Sequence, residues 1–136
     1  MPFELTERIN RHLTDDKIGW LTTVTPSGRP APRPIWFIWD GTAATIYSVN
    51  NGAKLRHIAT NDQVTLHFGR EDGFDIVVIG GRAEIVPDAP LPSQVPALAA
   101  KYADLVVKMG QSTQWWDENY STAIRFTPER AWTIGD

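Results

Sequence analysis

The chain contains no cysteine. That excludes disulfide scaffolds, thiolate nucleophiles and Cys-ligated zinc. No run of about 18 apolar residues is present, and no apolar segment near the start precedes a cleavage site. A soluble, cytoplasmic protein with no membrane partner is therefore expected. The net charge is small, −3, so there is no basic footprint for nucleic acid. The G-x-S-x-G, P-loop and G-x-G-x-x-G motifs are all missing. The three histidines, His12, His57 and His67, lack metal-ligand spacing, and no metal is expected. Asp15-Asp16 and Glu71-Asp72 read as solvated turn carboxylates. No acid–base pair emerges, and no catalytic residue is assigned. This pattern suits an enzyme whose cofactor carries the chemistry while the chain binds and orients it.

What is present is an ordinary globular composition with many tryptophans. The 136 residues are 42% hydrophobic and 21% charged. A single ordered domain over 1–136 is expected, with a sizeable core. Six Trp is a high count. Trp is large and amphipathic, and it gathers where rings or partner chains pack.

Periodicity divides the chain into strands and short helices. Leu5, Ile9 and Leu13 recur every fourth residue, which predicts an amphipathic helix over 3–15. Residues 18–25 read as a strand, and Pro26-Ser27-Gly28-Arg29 as a hairpin turn. A second strand is expected from Pro30 to Trp39. Its alternate prolines Pro30, Pro32 and Pro34 point to an edge or a bulged start. Pro34, Trp36 and Ile38 fall on one face, with Ile35, Phe37 and Trp39 on the other. Both faces are apolar, so one should meet a second subunit or a ligand. Further strands are expected over 44–49, 63–69, 74–86 and 121–134, with a bulge at Gly80-Gly81. Helices are expected over 54–60 and 93–109, the latter on the apolar set Leu98, Tyr102, Leu105 and Met109. A short helix is expected over 113–120, and a proline-rich linker over 87–96. Hairpin-connected strands with peripheral helices indicate a small antiparallel barrel rather than a parallel sheet.

The densest chemical signal is Asn50-Asn51-Gly52-Ala53-Lys54-Leu55-Arg56-His57. A donor-rich turn feeds a helix N-terminus carrying Lys54, Arg56 and His57. That arrangement suits a phosphate, because outward N–H groups and nearby cations both attract an anion. From spacing alone the alternative is a solvated helix face, the commoner fate of such charges. Trp36 either stacks on a planar ring or packs a core or dimer interface. Trp115-Trp116, in a polar segment, either line a pocket or dock a helix.

Gly19-Trp20-Leu21-Thr22-Thr23-Val24, Ser27-Gly28-Arg29-Pro30, Pro34-Ile35-Trp36-Phe37-Ile38-Trp39-Asp40-Gly41, Ala53-Lys54-Leu55-Arg56-His57-Ile58, Asn61-Asp62-Gln63-Val64 and Ile124-Arg125-Phe126-Thr127-Pro128-Glu129-Arg130 carry a resemblance in their order and spacing. The chain resembles the pyridoxamine 5′-phosphate oxidase-like split-barrel superfamily, most of all its actinobacterial flavin/deazaflavin oxidoreductase B group. The resemblance implies a mainly β fold, a six- or seven-stranded split β-barrel, and a homodimer with cofactor sites at the subunit interface. It implies an oxidoreductase that uses the deazaflavin coenzyme F420, with FMN as the alternative. By position, Lys54 would hold the cofactor phosphate, helped by Asn50, Asn51, Gly52, Ala53 and Arg56, with His57 beside them. Pro34, Ile35 and Trp36 would run along the ring, Ser48 would sit near the ring or its polyol chain, and Trp115 and Trp116 would close the site from the second subunit. The family often has Asn where this chain has His57, and many FMN-using members have a cation where it has Gly52. The lighter clamp favours a singly charged phosphodiester, hence F420. A non-catalytic flavin or deazaflavin carrier, FMN-dependent pyridoxamine phosphate oxidation, and haem binding through one of the histidines are the other readings.

Overall fold

The computed structural model describes residues 3–69 and 72–134; Glu71 of the Glu71-Asp72 pair lies outside them. Helix α1 (Glu7–Asp15) starts at Thr6, whose hydroxyl accepts the Ile9 N–H. The strands are β1 (Gly19–Val24), β2 (Pro30–Ile35), β3 (Phe37–Trp39), β4 (Ala44–Ser48), β5 (Gln63–Phe68), β6 (Ile76–Val86) and β7 (Thr122–Ile134). Helices α2 (Ala53–Thr60), α3 (Pro96–Lys108) and α4 (Thr113–Asn119) lie between them. All seven strands join one antiparallel sheet, in the order β2-β1-β5-β6-β7-β4-β3.

The expected second strand, Pro30 to Trp39, is two strands. β2 pairs with β1 at one edge of the sheet, and β3 pairs with β4 at the other. Only Trp36 separates them. The sheet therefore curls until its two edges meet at a single residue, and the chain itself joins them. Pro30, Pro32 and Pro34 have no N–H, so the outer side of β2 cannot extend the ladder. The result is a split barrel, joined by the chain at this seam.

Alternation along the strands fills the interior with Leu21, Ile35, Phe37, Ile46, Leu66, Phe68, Val77, Ile79, Ile124 and Phe126. The Ile9 and Leu13 side chains of α1 seal one end. A second apolar cluster lies outside the barrel, where α3 and α4 pack Leu98, Tyr102, Val106 and Trp116 against Tyr47, Ala123, Trp36 and Ile38. The second apolar face at Trp36 and Ile38 is thus packed against the chain's own helices.

Two local details follow from sequence chemistry. The sheet register shifts between Gly80 and Gly81, as the glycine pair indicates. A Cβ on Gly81 would lie 2.2 Å from the Thr127 carbonyl oxygen, so only glycine lets β7 pass. The helix expected from residue 93 is divided instead: a single 3₁₀ turn at Pro92–Gln94 precedes α3, which begins at Pro96. Proline has no N–H to bond backward, so it suits the first helical position rather than the interior. The buried stripe of α3 is Leu98, Tyr102 and Val106, while Met109 is exposed.

His12 ties α1 to the start of β6. Its Nδ1 lies 2.6 Å from Asp16 Oδ2 and its Nε2 lies 3.0 Å from Asp75 Oδ1. Arg11 donates twice to Asp75, at 2.9 Å each, and Arg8 adds its charge at 3.7 Å. Burial opposes the imidazolium, but the two carboxylates outweigh it, and the His12 pKa is raised above 6.5. A raised folded pKa contributes stability that is complete below the unfolded value and lost as pH rises through the folded one. The melting temperature should accordingly fall as pH rises above the ordinary histidine value of about 6.5. In His12→Gln that pH dependence should flatten; an equal slope in both proteins would place the titrating group elsewhere.

Candidate functional site

The seam opens onto two adjoining concavities. The first, of about 140 Å³, is lined by Pro34, Ile35, Trp36, Tyr47, Val49, Lys54, Met109, Trp115, Trp116 and Tyr120. The second, of about 270 Å³, runs past Thr23, Ala31, Arg33, Gly52, Ala53 and His57. Pro34, Val49 and Lys54 line both, so the two form one continuous depression.

The first part is aromatic. Trp36 is fixed from both sides: Tyr102 stacks on it at 4.6 Å and 6°, and Trp116 meets it edge-on at 6.1 Å. The Trp115 ring leans on Tyr120 at 5.8 Å. No carboxylate lines this part among the described residues. Walls of this kind suit a flat, apolar ring system and exclude water.

The second part attracts anions. Gly52 caps α2 without any side-chain bond, leaving the first N–H groups of the helix open to a ligand. Lys54 is half-buried and pairs with no carboxylate among the described residues; its ammonium lies 3.4 Å from the Ser48 hydroxyl. Burial, and then the charge of Arg33, hold its pKa below the ordinary lysine value. A Cβ on Gly52 would come within 3.2 Å of Ser48 Oγ and 3.6 Å of Lys54 Nζ, so glycine keeps the approach to the ammonium open. An unpaired cation beside bare helix amides fits a phosphate group.

Of the residues singled out from sequence, Pro34, Ile35, Trp36, Gly52, Ala53, Lys54, His57, Trp115 and Trp116 lie along this depression. Ser48 is buried behind Lys54 and donates to the Val49 carbonyl at 2.9 Å. Asn50, Asn51 and Arg56 lie outside it. Arg56 follows Lys54 by two residues, a rotation of about 200° on a helix, and its Nη1 turns back to the Asn51 carbonyl at 3.3 Å. His57, three residues on, returns to the Lys54 face, and its Nδ1 meets Thr23 Oγ1 at 2.8 Å. Trp115 and Trp116 reach the cavity from their own chain. Thr23, Arg33, Tyr47, Val49, Met109 and Tyr120 were not singled out beforehand. Arg33 alternates with the prolines of β2, and that alternation was the available signal.

The histidines are differently placed. Both ring nitrogens of His12 face carboxylates, and His67 lies against Trp20 on the outer sheet face, 6.4 Å between rings.

Residues 5–135 match the family model described as pyridoxamine 5′-phosphate oxidase. The chain belongs to that family. No curated protein matches it. Among solved structures, it is similar to an F420 reductase, with 24% identity, a TM-score of 0.65, and coverage of 90% of this chain and 94% of that one. It is also similar to a putative pyridoxamine 5′-phosphate oxidase from Listeria innocua, at 20% identity and TM-score 0.68, covering 98% and 100% of the two chains. A haem storage protein from Vibrio cholerae shares the fold at 19% identity and TM-score 0.70, covering 98% of each chain. The family and these neighbours agree on the split barrel.

A charge-assisted hydrogen bond contributes about 1.5–3 kcal/mol, or about 10- to 150-fold in affinity. Lys54→Ala should weaken binding of inorganic phosphate by that factor, read by calorimetric titration. Arg56→Ala should leave it within about twofold, apart from a screened charge effect. A reversed ranking would displace the anion from the groove.

Proposed function

We propose that the protein is an oxidoreductase that binds coenzyme F420 along the seam and reduces an electron-poor small molecule such as an enone, quinone or unsaturated lactone. The observation that carries this reading is the continuity of the aromatic cavity with the anion-binding groove through Pro34, Val49 and Lys54. When bound, the reduced deazaflavin supplies a hydride to the acceptor. The chain's part is to bind, orient and keep water out. The Lys54 ammonium and the Ala53 and Lys54 amides would hold the phosphodiester. Trp36, braced by Tyr102, would line the ring, and Trp115, Trp116 and Tyr120 would cover it. With no carboxylate in the aromatic cavity, the proton that follows the hydride would come from solvent.

FMN is the second reading, and Arg33 is the observation in its favour. Its charge acts on Lys54 from the neighbouring strand, so the groove has a second cation beside Lys54. Arg33 is nevertheless exposed and spends Nη1 on the Pro32 carbonyl at 2.7 Å. One half-buried cation with an exposed second suits a singly charged phosphodiester better than a terminal dianion.

We also propose that a second copy of the chain covers the outer sheet face. Trp20, His67, Val78 and Trp132 stand side by side on four successive strands, and Pro34 continues the row to the cofactor groove. Trp20 is 42% and Trp132 56% exposed, with Ile134 beside them at 42%. An apolar row of this length is unusual on a monomer, and a copy seated there would place partner residues next to the groove.

Parallel tryptophan-quenching titrations with F420 and FMN test the cofactor. Tighter F420 binding is expected; preference for FMN would overturn that choice. Turnover of an enone or quinone by the reduced complex separates an enzyme from a carrier. Sedimentation equilibrium should give a dimer, and Trp132→Glu should shift it to monomer by at least tenfold in dissociation constant; a monomeric parent protein would remove the interface.

A further inference from the structure

Asn50 lies outside the depression, yet it is the most heavily bonded residue at its border. Its backbone N–H donates to the Asn119 carbonyl at 3.1 Å, and its Nδ2 donates to the Glu118 carbonyl at 2.8 Å. Its Oδ1 accepts from the Ser121 N–H at 2.8 Å and from the Ser121 hydroxyl at 2.9 Å. Four bonds thus join one residue to the end of α4. On one side of Asn50 stands Val49, which lines both cavities; on the other, the turn closes with Gly52 N–H donating to the Val49 carbonyl at 3.1 Å, immediately before the bare amides of α2. The segment that Asn50 grips carries Trp115, Trp116 and Tyr120, the outer wall of the aromatic cavity. The other side of α4 is held by Asp117, which accepts from the Ser93 N–H at 2.9 Å and from its hydroxyl at 2.5 Å.

We propose that Asn50 is a positioning residue that couples the anion groove to the aromatic wall, so that occupancy of one strengthens binding at the other. This rests on the reading of the groove as a phosphate site. An anion held by the Ala53 and Lys54 amides fixes the 49–54 turn. The turn cannot then shift without breaking bonds to residues 118–121. The wall is consequently ordered before the ring arrives, and the ring gains affinity because less ordering remains to be done. Linkage requires the reverse effect to be equal. Asn suits the position because its side chain offers a donor and an acceptor on separate atoms, whereas an ionised Asp only accepts and Ser carries both roles on one oxygen.

The test uses riboflavin, which has the ring but no phosphate, and inorganic phosphate as separate probes. Riboflavin affinity is measured by tryptophan quenching, with and without saturating phosphate, in the parent protein, Asn50→Ala and Ser121→Ala. In the parent protein, phosphate should tighten riboflavin binding by about fivefold or more, the usual lower range for coupled sites. In Asn50→Ala the factor should fall towards one, while phosphate affinity stays within about threefold. Ser121→Ala removes a single bond from the set and should give an intermediate factor, which keeps the test valid if Asn50→Ala folds poorly. No coupling in the parent protein, or equal coupling in all three, would overturn the proposal while leaving the groove intact. Failure of phosphate to bind the parent protein at all would overturn the groove reading and the coupling together.

Discussion

The molecule depends on one constraint, the meeting of two sheet edges at Trp36. β2 and β3 belong to opposite edges, and no ladder bonds them to each other. Tyr102 holds the junction. Its hydroxyl accepts the Phe37 N–H at 3.0 Å and donates to the Lys17 carbonyl at 2.7 Å, while its ring stacks on Trp36. Burial pushes its pKa up to about 12, with the Phe37 hydrogen bond a smaller opposing influence. The hydroxyl therefore stays protonated and available to donate. Lys101 adds a second tie, its ammonium 3.7 Å from the Phe37 ring centre and 3.2 Å from the Phe37 carbonyl oxygen. A buried amide left without such partners would cost about 1–3 kcal/mol. These contacts turn a potential weak point into a fixed wall, and the ligand depression lies along it.

The same seam explains why apolar and charged surfaces adjoin. The helices covering Trp36 supply aromatic rings from α4, while the unpaired edge of β2 faces the bare start of α2. The proline-rich edge accepts no further strand, so the groove between β2 and α2 stays open. Lys54 sits where these surfaces join, half-buried and without a carboxylate. An unpaired cation in that position is unfavourable in isolation, as its lowered pKa records. An incoming anion would relieve it.

Much of this was legible in the sequence, for identifiable reasons. Period-two patterning located the strands, and Gly80-Gly81 marked the register shift because no other residue fits against Thr127. Gly52 and Lys54 marked the groove at the start of α2, because local chemistry alone defines a helix start. What was not legible depended on distant partners. Nothing in Pro30–Trp39 states that the strand changes edges at Trp36; that follows from closing seven strands into a ring. Asn50 reads as a ligand donor beside a glycine turn, but its partners lie about seventy residues further on, at Glu118 and Ser121. Arg56 appeared to belong with Lys54 by proximity, and helix rotation separates them. Nor does the sequence name the partners of Trp115 and Trp116: Trp116 is buried against Trp36, and Trp115 is half-buried against Tyr120.

The central claim is that ring and phosphate bind as one ligand along the seam. The most direct measurement is a crystal structure of the protein with F420. The account predicts the tricyclic ring along Trp36, beneath Trp115 and Trp116, and the phosphodiester within hydrogen-bond distance of the Lys54 ammonium and the Ala53 and Lys54 amides. A ligand bound on the outer sheet face, or with its phosphate away from the start of α2, would contradict it.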